Sequence, residues 1–103
     1  MMMYQMVLLS KGPNSGKLDS VTSRKLGEGH MDNIKKMAAE GKLVLAGPFG
    51  DKGDLRGIFI MDVPNKEEAE RLCNEDPAIK AGALQMEIKP WYGPKGLTYT
   101  GKD

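Results

Sequence analysis

The chain of 103 residues carries 15 basic and 14 acidic residues, for a formal net charge of +1, and 40% of its residues are hydrophobic. This length suits one domain, residues 1–103, and the composition is too apolar for a disordered chain. The near balance of charge, without a block of lysine or arginine, argues against a nucleic-acid partner, and no apolar run is long enough to span a membrane.

The one cysteine, Cys73, excludes an internal disulfide and lacks the companions that a structural zinc site requires. We therefore expect no metal, and a small buried core residue at this position. The N-terminal stretch MMMYQMVLLS is too short and uncharged to be a signal peptide. We expect a cytoplasmic protein, although the repeated initial methionines leave open an exported form from which an upstream segment was removed.

The first half of the chain predicts a strand, a helix and a second strand. The apolar run YQMVLLS, residues 4–10, ends in the turn-forming stretch KGPNSGK. From residue 29 to residue 40 the apolar residues recur three and four apart, and Gly41 follows where a helix end favours a positive φ. This helix could begin one turn earlier. The stretch KLVLAGPF then predicts a short strand that Gly47 and Pro48 stop.

The second half predicts a strand, a helix and a last strand. LRGIFIMDV pairs with the preceding strand as a hairpin around GDKGD, and Asn65 can cap a helix with Glu68 at capping-box spacing. In ALQMEIKPW the apolar residues Leu84, Met86 and Ile88 alternate with polar ones, which is typical of a strand with one solvent-exposed face. We expect the tail from about residue 92 to be irregular.

This order of elements predicts an α+β fold, a ferredoxin-like βαββαβ sandwich with both helices on one face of the sheet. In that arrangement the first and third strands are central. The first strand is apolar on both sides, with Met6 and Leu8 opposite Val7 and Leu9. Because the helices can cover only one face, we expect a homodimer that packs through the open sheet face.

His30 lies on the apolar stripe of the first predicted helix, where a histidine is more often a hydrogen-bonded core residue than a catalyst. Asp76 occupies the last place of an otherwise apolar helical set, and a carboxylate there is costly unless it is paired. The local sequence explains Asp76 in another way, because an aspartate followed by Pro77 is the expected N-cap of a short helix. Both explanations stay open at this point.

The turn at Gly47 and Pro48 lies in the segment AGPFGDKGD, whose backbone amides could line an anion or carbonyl site, although a simple turn between two strands is the more common role of such a segment. Arg24 and Arg56 could each receive an anionic substrate, but arginines in such positions are usually surface charges. We take Gly47, Pro48 and Arg24 as candidate substrate-binding residues. No nucleotide-binding glycine motif or metal-ligand cluster is present in the sequence, so we expect chemistry by side chains alone, without a cofactor.

Three stretches, GHMDNIKKMAAEGKLVLAGPF, GIFIMDV and EEAERLCNEDPAIKAGALQMEIKPWYG, resemble the YCII-related (YciI-like) domain family. The resemblance covers roughly positions 4 to 97 and consists of an ordered set of features. These are a histidine in the first helix, Gly-Pro after the second strand, Asp-Pro with a downstream Ala-Gly, and a last strand ending in Pro-Trp. The resemblance implies a dimeric α+β barrel and an active site built from His30 and Asp76.

This family includes a dehydrochlorinase that acts on a chlorinated hydroxyhydroquinone, and it is similar in fold to muconolactone isomerase. The resemblance thus favours a cofactor-independent enzyme in which His30 moves a proton and Asp76 orients it, during elimination or isomerisation of a small cyclic or aromatic substrate. The loop KGPNSGKLDSVTSRK departs from the family, being longer than in compact members and lacking the acid often found directly after the first strand. The substrate class therefore stays open.

The competing hypothesis is a non-catalytic dimeric module that binds a small ligand or stabilises an assembly, with His30 and Asp76 as a structural hydrogen-bonded pair. A third hypothesis, a heme-degrading or quinol-oxidising relative, rests on fold analogy alone.

Overall fold

The structure is a computed structural model that describes residues 1–97. The end of the predicted irregular tail, residues 98–103, lies outside the described residues. In chain order the elements are β1 (Met2–Lys11), α1 (Ser20–Ala39), β2 (Leu43–Pro48), β3 (Leu55–Met61), α2 (Lys66–Cys73), α3 (Pro77–Lys80) and β4 (Leu84–Gly93). No helix within residues 1–97 has the length and apolar character needed to cross a bilayer.

The four strands form one antiparallel sheet in the order β2-β3-β1-β4, so that β1 and β3 are central. The register places Val7 opposite Phe59 on one side and opposite Ile88 on the other. Because paired residues of neighbouring strands share a face, these three side chains point to the same side of the sheet. The predicted ferredoxin-like α+β fold is confirmed, including which strands are central.

Helix α1 begins at Ser20, well before the residue 29 expected from the apolar pattern. Asp19 starts it as an N-cap, its carboxylate accepting a 2.7 Å hydrogen bond from the backbone N–H of Thr22. No buried side chain precedes Asn33 in this helix, so its first turns carry no apolar periodicity that a sequence pattern could reveal. The helix ends as predicted, with Gly41 at a φ of +74°.

Helix α2 begins at the predicted cap, where the side chain of Asn65 accepts a 2.8 Å hydrogen bond from the backbone N–H of Glu68. The second half of a capping box would require the Glu68 carboxylate to turn back toward Asn65. That carboxylate instead binds the guanidinium of Arg71 at 2.5 and 3.0 Å, and this hydrogen bond lowers the pKa of Glu68. Of the two hydrogen bonds of a capping box, only the one from the Glu68 N–H to the Asn65 side chain forms at the start of α2.

The main core lies between the sheet and the helices. Residues of β1, β3 and β4 that share one face of the sheet meet the inner faces of α1 and α2 there. Its buried members are Val7, Leu9, Met37, Leu43, Phe59, Met61, Val63, Ala69, Leu72, Cys73 and Ile88.

A second apolar cluster covers the opposite face of the sheet. Tyr4, Val44 and Ile60 are buried there without any contribution from a helix. The segment that follows β4 supplies part of the cover, because Leu97 packs against this cluster and the Tyr4 hydroxyl donates a 2.7 Å hydrogen bond to the Pro94 carbonyl. The tail thus has a specific position up to residue 97, although it forms no regular element beyond Gly93.

The contact between α1 and α3 depends on a residue without a side chain. A Cβ built on Gly29 would lie 2.7 Å from Cγ and 3.3 Å from Cβ of Pro77. The proline ring is rigid and cannot rotate away, so the two helices can approach this closely only with glycine at position 29. Gly27, two residues earlier in the same helix, has no such neighbour within 4 Å.

These two glycines give a matched test of the helix contact. Gly29→Ala is expected to lower the free energy of unfolding by about 1–3 kcal/mol, since the added methyl group must push α1 away from Pro77. Gly27→Ala is expected to raise it by about 0.5–1 kcal/mol, since alanine favours the helix and meets open space. Urea unfolding followed by circular dichroism measures both. Equal effects of the two substitutions would contradict the contact.

Candidate functional site

His30 and Asp76 meet at the place where α1 passes α3. The imidazole Nδ1 lies 2.5 Å from Oδ2 of Asp76, and the other carboxylate oxygen, Oδ1, accepts a 2.8 Å hydrogen bond from the backbone N–H of Ala78. The Asp76 side chain is fully buried, whereas that of His30 is 21% exposed. Asp76 is therefore both the N-cap of α3 and the partner of the histidine, and the two explanations for it are compatible.

The contact determines which ring nitrogen of His30 is engaged by the carboxylate and which is not. An ionised carboxylate can only accept hydrogen bonds, so an ionised Asp76 requires the proton of neutral His30 to be on Nδ1. The lone pair is then on Nε2, the ring nitrogen that the carboxylate does not contact. If His30 takes up a second proton, the neighbouring carboxylate stabilises the imidazolium. The pair thus has the arrangement of an oriented general base.

Phe59 supports the imidazole from the side of the sheet. The two rings are nearly parallel, at 22°, with centroids 5.9 Å apart. Phe59 is buried in the middle of β3, so its ring is held by the core. His30 is therefore oriented by the carboxylate of one element and by an aromatic ring of another, which restricts its rotation.

A cavity of about 920 Å³ opens beside His30, between α1 and the strands β2 and β3. Most of its wall is aliphatic or aromatic, and the exceptions are His30, Lys35 and Arg56. Its volume is within the range of small-molecule sites. The lining residues are Leu9, His30, Met31, Ile34, Lys35, Ala38, Ala39, Leu43, Leu45, Ala46, Gly47, Pro48, Arg56, Gly57, Ile58, Phe59 and Leu84.

The residues predicted to bind substrate divide into two groups. Gly47 and Pro48, at the end of β2, line the cavity. Arg24 is exposed on α1 and does not line it, whereas Arg56 does. The sequence predicted the hairpin but not its register, and it is the pairing of Gly57 with Pro48 in the structure that places Arg56 beside the Gly-Pro turn.

Cys73 lies close to the pair but is not suited to nucleophilic chemistry. Burial, and secondarily the charge of Asp76, raise the pKa of its thiol to about 12. The thiol therefore stays protonated near neutral pH, and its Sγ packs 3.7 Å from Sδ of Met61. Cys73 is a core residue, as its position in the α2 pattern indicated.

A surface ion pair links the same two parts of the chain. Nζ of Lys36 on α1 lies 3.0 Å from Oε1 of Glu75, and this hydrogen bond lowers the pKa of Glu75 and raises that of Lys36. Both side chains are largely exposed, so the pair contributes little to stability. Within residues 1–97 no group of three or more His, Cys, Asp and Glu side chains is placed to hold a metal ion.

The chain is similar to known proteins both in sequence and in structure. The chain is 30% identical over 63 residues to the uncharacterized protein YjpA of Bacillus subtilis strain 168, a match that spans 61% of this chain and 72% of that protein. Its structure resembles that of 5-chloro-2-hydroxyhydroquinone dehydrochlorinase (TftG) from Burkholderia phenoliruptrix AC1100, solved in complex with 2,5-dihydroxybenzoquinone. The TM-score is 0.61, with 19% sequence identity over 91% of this chain and 97% of the other.

The family model for the YCII-related domain matches residues 3–92. Because this match spans most of the sequence and every described strand and helix lies within it or ends beside it, the chain belongs to the family of YCII-related domains.

Proposed function

We propose that the protein is a cofactor-independent enzyme in which His30 and Asp76 transfer a proton to or from a small cyclic or aromatic substrate. The observation that carries this proposal is the 2.5 Å contact between Nδ1 of His30 and the buried carboxylate of Asp76, on the wall of a cavity of about 920 Å³. A carboxylate in contact with an imidazole fixes its orientation and its tautomer, and the cavity gives a substrate access to that imidazole.

In an elimination, Nε2 of His30 takes a proton from a ring carbon next to the carbon that bears the leaving group. The electron pair of the broken C–H bond forms the new double bond, and the leaving group departs with the electrons of its own bond. The resulting imidazolium is stabilised by Asp76. In an isomerisation, the same imidazolium returns the proton to a different carbon of the substrate.

The dehydrochlorinase from Burkholderia provides a comparison at the level of fold. Its name describes the removal of hydrogen and chloride from a hydroxylated ring, which is an elimination of the type proposed here. At 19% identity the likeness does not extend to substrate. It does make halogenated quinols the first compounds to test, followed by lactones.

The alternative, a non-catalytic module that binds a small ligand or stabilises an assembly, has its own supporting observation. Asp76 is fully buried and caps α3 through Oδ1, so it needs a partner for Oδ2 whether or not catalysis occurs. On this view His30 serves only to satisfy that oxygen. The two functions differ in their use of Nε2 of His30. Catalysis requires this nitrogen to accept a proton from the substrate, whereas the structural role requires only Nδ1.

Two substitutions separate these functions. In His30→Asn the side-chain amide can still donate to Asp76 from a position close to that of Nδ1, but no basic nitrogen remains. We expect turnover to fall by about 10²- to 10⁴-fold, with the free energy of unfolding lowered by less than about 1.5 kcal/mol. Chloride release from halogenated quinols and the shift of the double bond in unsaturated lactones measure turnover, and thermal unfolding measures stability.

In Asp76→Asn the amide oxygen can keep the cap on Ala78 while the amide nitrogen donates to His30. This reverses the tautomer and places the proton on Nε2, so a general base is lost although the cap is kept. We expect a loss of turnover comparable to that of His30→Asn. Full turnover in either variant would contradict the proposed mechanism, whereas a large loss of stability with no turnover in the wild type would favour the structural role.

We further propose that the protein is a homodimer joined through the sheet face opposite the helices. Met6, Leu8 and Ile58 lie on that face and are only partly buried, although apolar residues surround them. The segment around Leu97 covers one part of the face and leaves the middle of β1 and β3 accessible. Apolar surface of this kind on central strands is typical of an interface.

Leu8→Glu places a charge in the middle of this face and is expected to convert the dimer to a monomer at micromolar concentration, because the interface would bury an unpaired carboxylate. Val21→Glu is the matched control, since Val21 is an exposed apolar residue on α1, away from the sheet. Light scattering coupled to size-exclusion chromatography measures the mass. A monomeric wild type, or dissociation by both substitutions, would be inconsistent with this interface.

A further inference from the structure

The loop between β1 and α1 binds the turn between α3 and β4. The side-chain amide of Asn14 donates a 2.9 Å hydrogen bond to the carbonyl of Ala81, and the backbone N–H of Asn14 donates one of 2.9 Å to the carbonyl of Gly82. The backbone N–H of Gly12 donates a 3.0 Å hydrogen bond to the carbonyl of Ala83. Three consecutive carbonyls of the turn are therefore held by two residues of the loop.

Two glycines allow the loop and the turn to approach this closely. A Cβ on Gly12 would overlap the carbonyl oxygen of Gly82 and lie 2.7 Å from its carbonyl carbon. A Cβ on Gly82 would lie 2.7 Å from Nδ2 of Asn14, and the φ of +76° at Gly82 disfavours other residues there. The contact thus depends on the absence of a side chain on both of its sides.

Helix α3 is a single turn of four residues, too short to keep its conformation without support. Its N-terminus is closed by Asp76, whose Oδ1 accepts the N–H of Ala78. Its C-terminus forms a Schellman motif, in which the N–H of Ala83 donates to the carbonyl of Ala78 at 3.0 Å. The N–H of Gly82 completes the motif by donating to the carbonyl of Ile79 at 3.1 Å. The segment from the cap to the turn is therefore one hydrogen-bonded unit, whose helix is about 6 Å long at 1.5 Å per residue.

Asp76 lies at one end of this unit and the contact with the loop at the other. Its backbone N–H donates a 3.0 Å hydrogen bond to the carbonyl of Cys73, so α2 holds the start of α3 while the loop holds its end. Oδ2 of Asp76 is 2.5 Å from Nδ1 of His30. A shift of the carboxylate by about 1 Å would lengthen this contact beyond ordinary hydrogen-bond distance. The pair therefore requires both ends of α3 to be held.

We propose that Asn14 and Gly12 are positioning residues for the His30–Asp76 pair and act on it through α3. Within residues 1–97 the wall of the cavity includes neither of them, so their effect on a ligand is indirect. By holding the end of α3 they keep Oδ2 of Asp76 against Nδ1 of His30, and so keep the lone pair of the neutral imidazole on Nε2. This inference rests on the proposed function, because the proposed proton transfer requires that tautomer.

The test is the tautomer of His30, read by NMR from the ¹⁵N chemical shifts of its two ring nitrogens at the alkaline end of a pH titration, where the imidazole is neutral. The chain has one histidine, so its ring signals are unambiguous. In the wild type we expect the proton on Nδ1. In Gly12→Ala, whose methyl group keeps the loop from docking, we expect a mixture of both tautomers, seen as a shift of the two ¹⁵N frequencies toward each other.

Asn14→Asp tests the same contact without a change in volume. At alkaline pH its carboxylate cannot donate to the carbonyl of Ala81 and repels it, so the two frequencies should shift in the same direction as in Gly12→Ala. Asn65→Ala is the matched control, because it removes a hydrogen bond of similar length, 2.8 Å to the N–H of Glu68, from the start of α2. It lowers stability without touching the loop or α3, and it should keep the tautomer of the wild type.

Turnover of halogenated quinols provides a second measurement. Asn14→Asp is expected to lower kcat about tenfold and to change KM less than about twofold, because the base is displaced while the residues of the cavity wall are kept. A loss confined to KM would contradict a positioning role. Asn65→Ala should leave both constants unchanged.

The proposal is overturned by a wild-type tautomer in Asn14→Asp, or by an equal shift in Asn65→Ala. The same holds for a wild-type tautomer in folded Gly12→Ala, and Asn14→Asp decides the question if Gly12→Ala does not fold. The tautomer is measured without a substrate, so its result does not depend on turnover. A tautomer shift in the loop variants, with no turnover in the wild type, would remove the proposed enzyme activity and keep the positioning of the pair.

Discussion

The buried carboxylate of Asp76 is the constraint on which the site depends. A carboxyl group with no exposure to solvent must be satisfied by fixed partners, and here the backbone N–H of Ala78 donates to one oxygen while the imidazole of His30 contacts the other. Each donor comes from a different element, so the carboxylate fixes the start of α3 relative to α1. The close approach of Gly29 to Pro77 makes this possible, because α1 can lie against α3 only where no side chain intervenes. The same carboxylate therefore caps α3 and holds it against α1.

The cavity follows from the same packing. Helix α1 contacts α3 at one end of its inner face, and its remaining inner face, from Met31 to Ala39, borders the space over β2 and β3. Phe59 closes the floor beside the imidazole, and the edge strand β2 forms the outer wall. His30, which is partly exposed, thus lies where the fold leaves a cavity beside its main core. The carboxylate has no solvent contact, whereas the imidazole that it orients is 21% exposed.

Most of the fold could be predicted from the sequence because its signals are local. The Asn65 cap, the positive φ at Gly41 and the alternation of β4 each need only a few consecutive residues, and together they fix the order of elements. The start of α1 could not be predicted in this way, because its first turns are exposed and carry no apolar period. The packing of the segment after β4 against Tyr4 could not be predicted either, since it depends on a hydrogen bond between residues 90 positions apart.

The residues of the site are brought together by the fold and not by their neighbours in the sequence. From the sequence, His30 was an inward residue on a helix and Asp76 was a cap, and neither statement implies that the two would meet. The family resemblance joined them, and the structure shows how, through one oxygen that caps and one that faces the imidazole. Arg56 presents the reverse situation, because its chemistry was evident from the sequence but its position in the fold was not. Only the pairing of Gly57 with Pro48 places it beside the cavity, whereas Arg24, chemically identical, lies on the exposed side of α1. Side-chain chemistry identifies candidates for a site, and the backbone contacts of their neighbours determine which of them can share it.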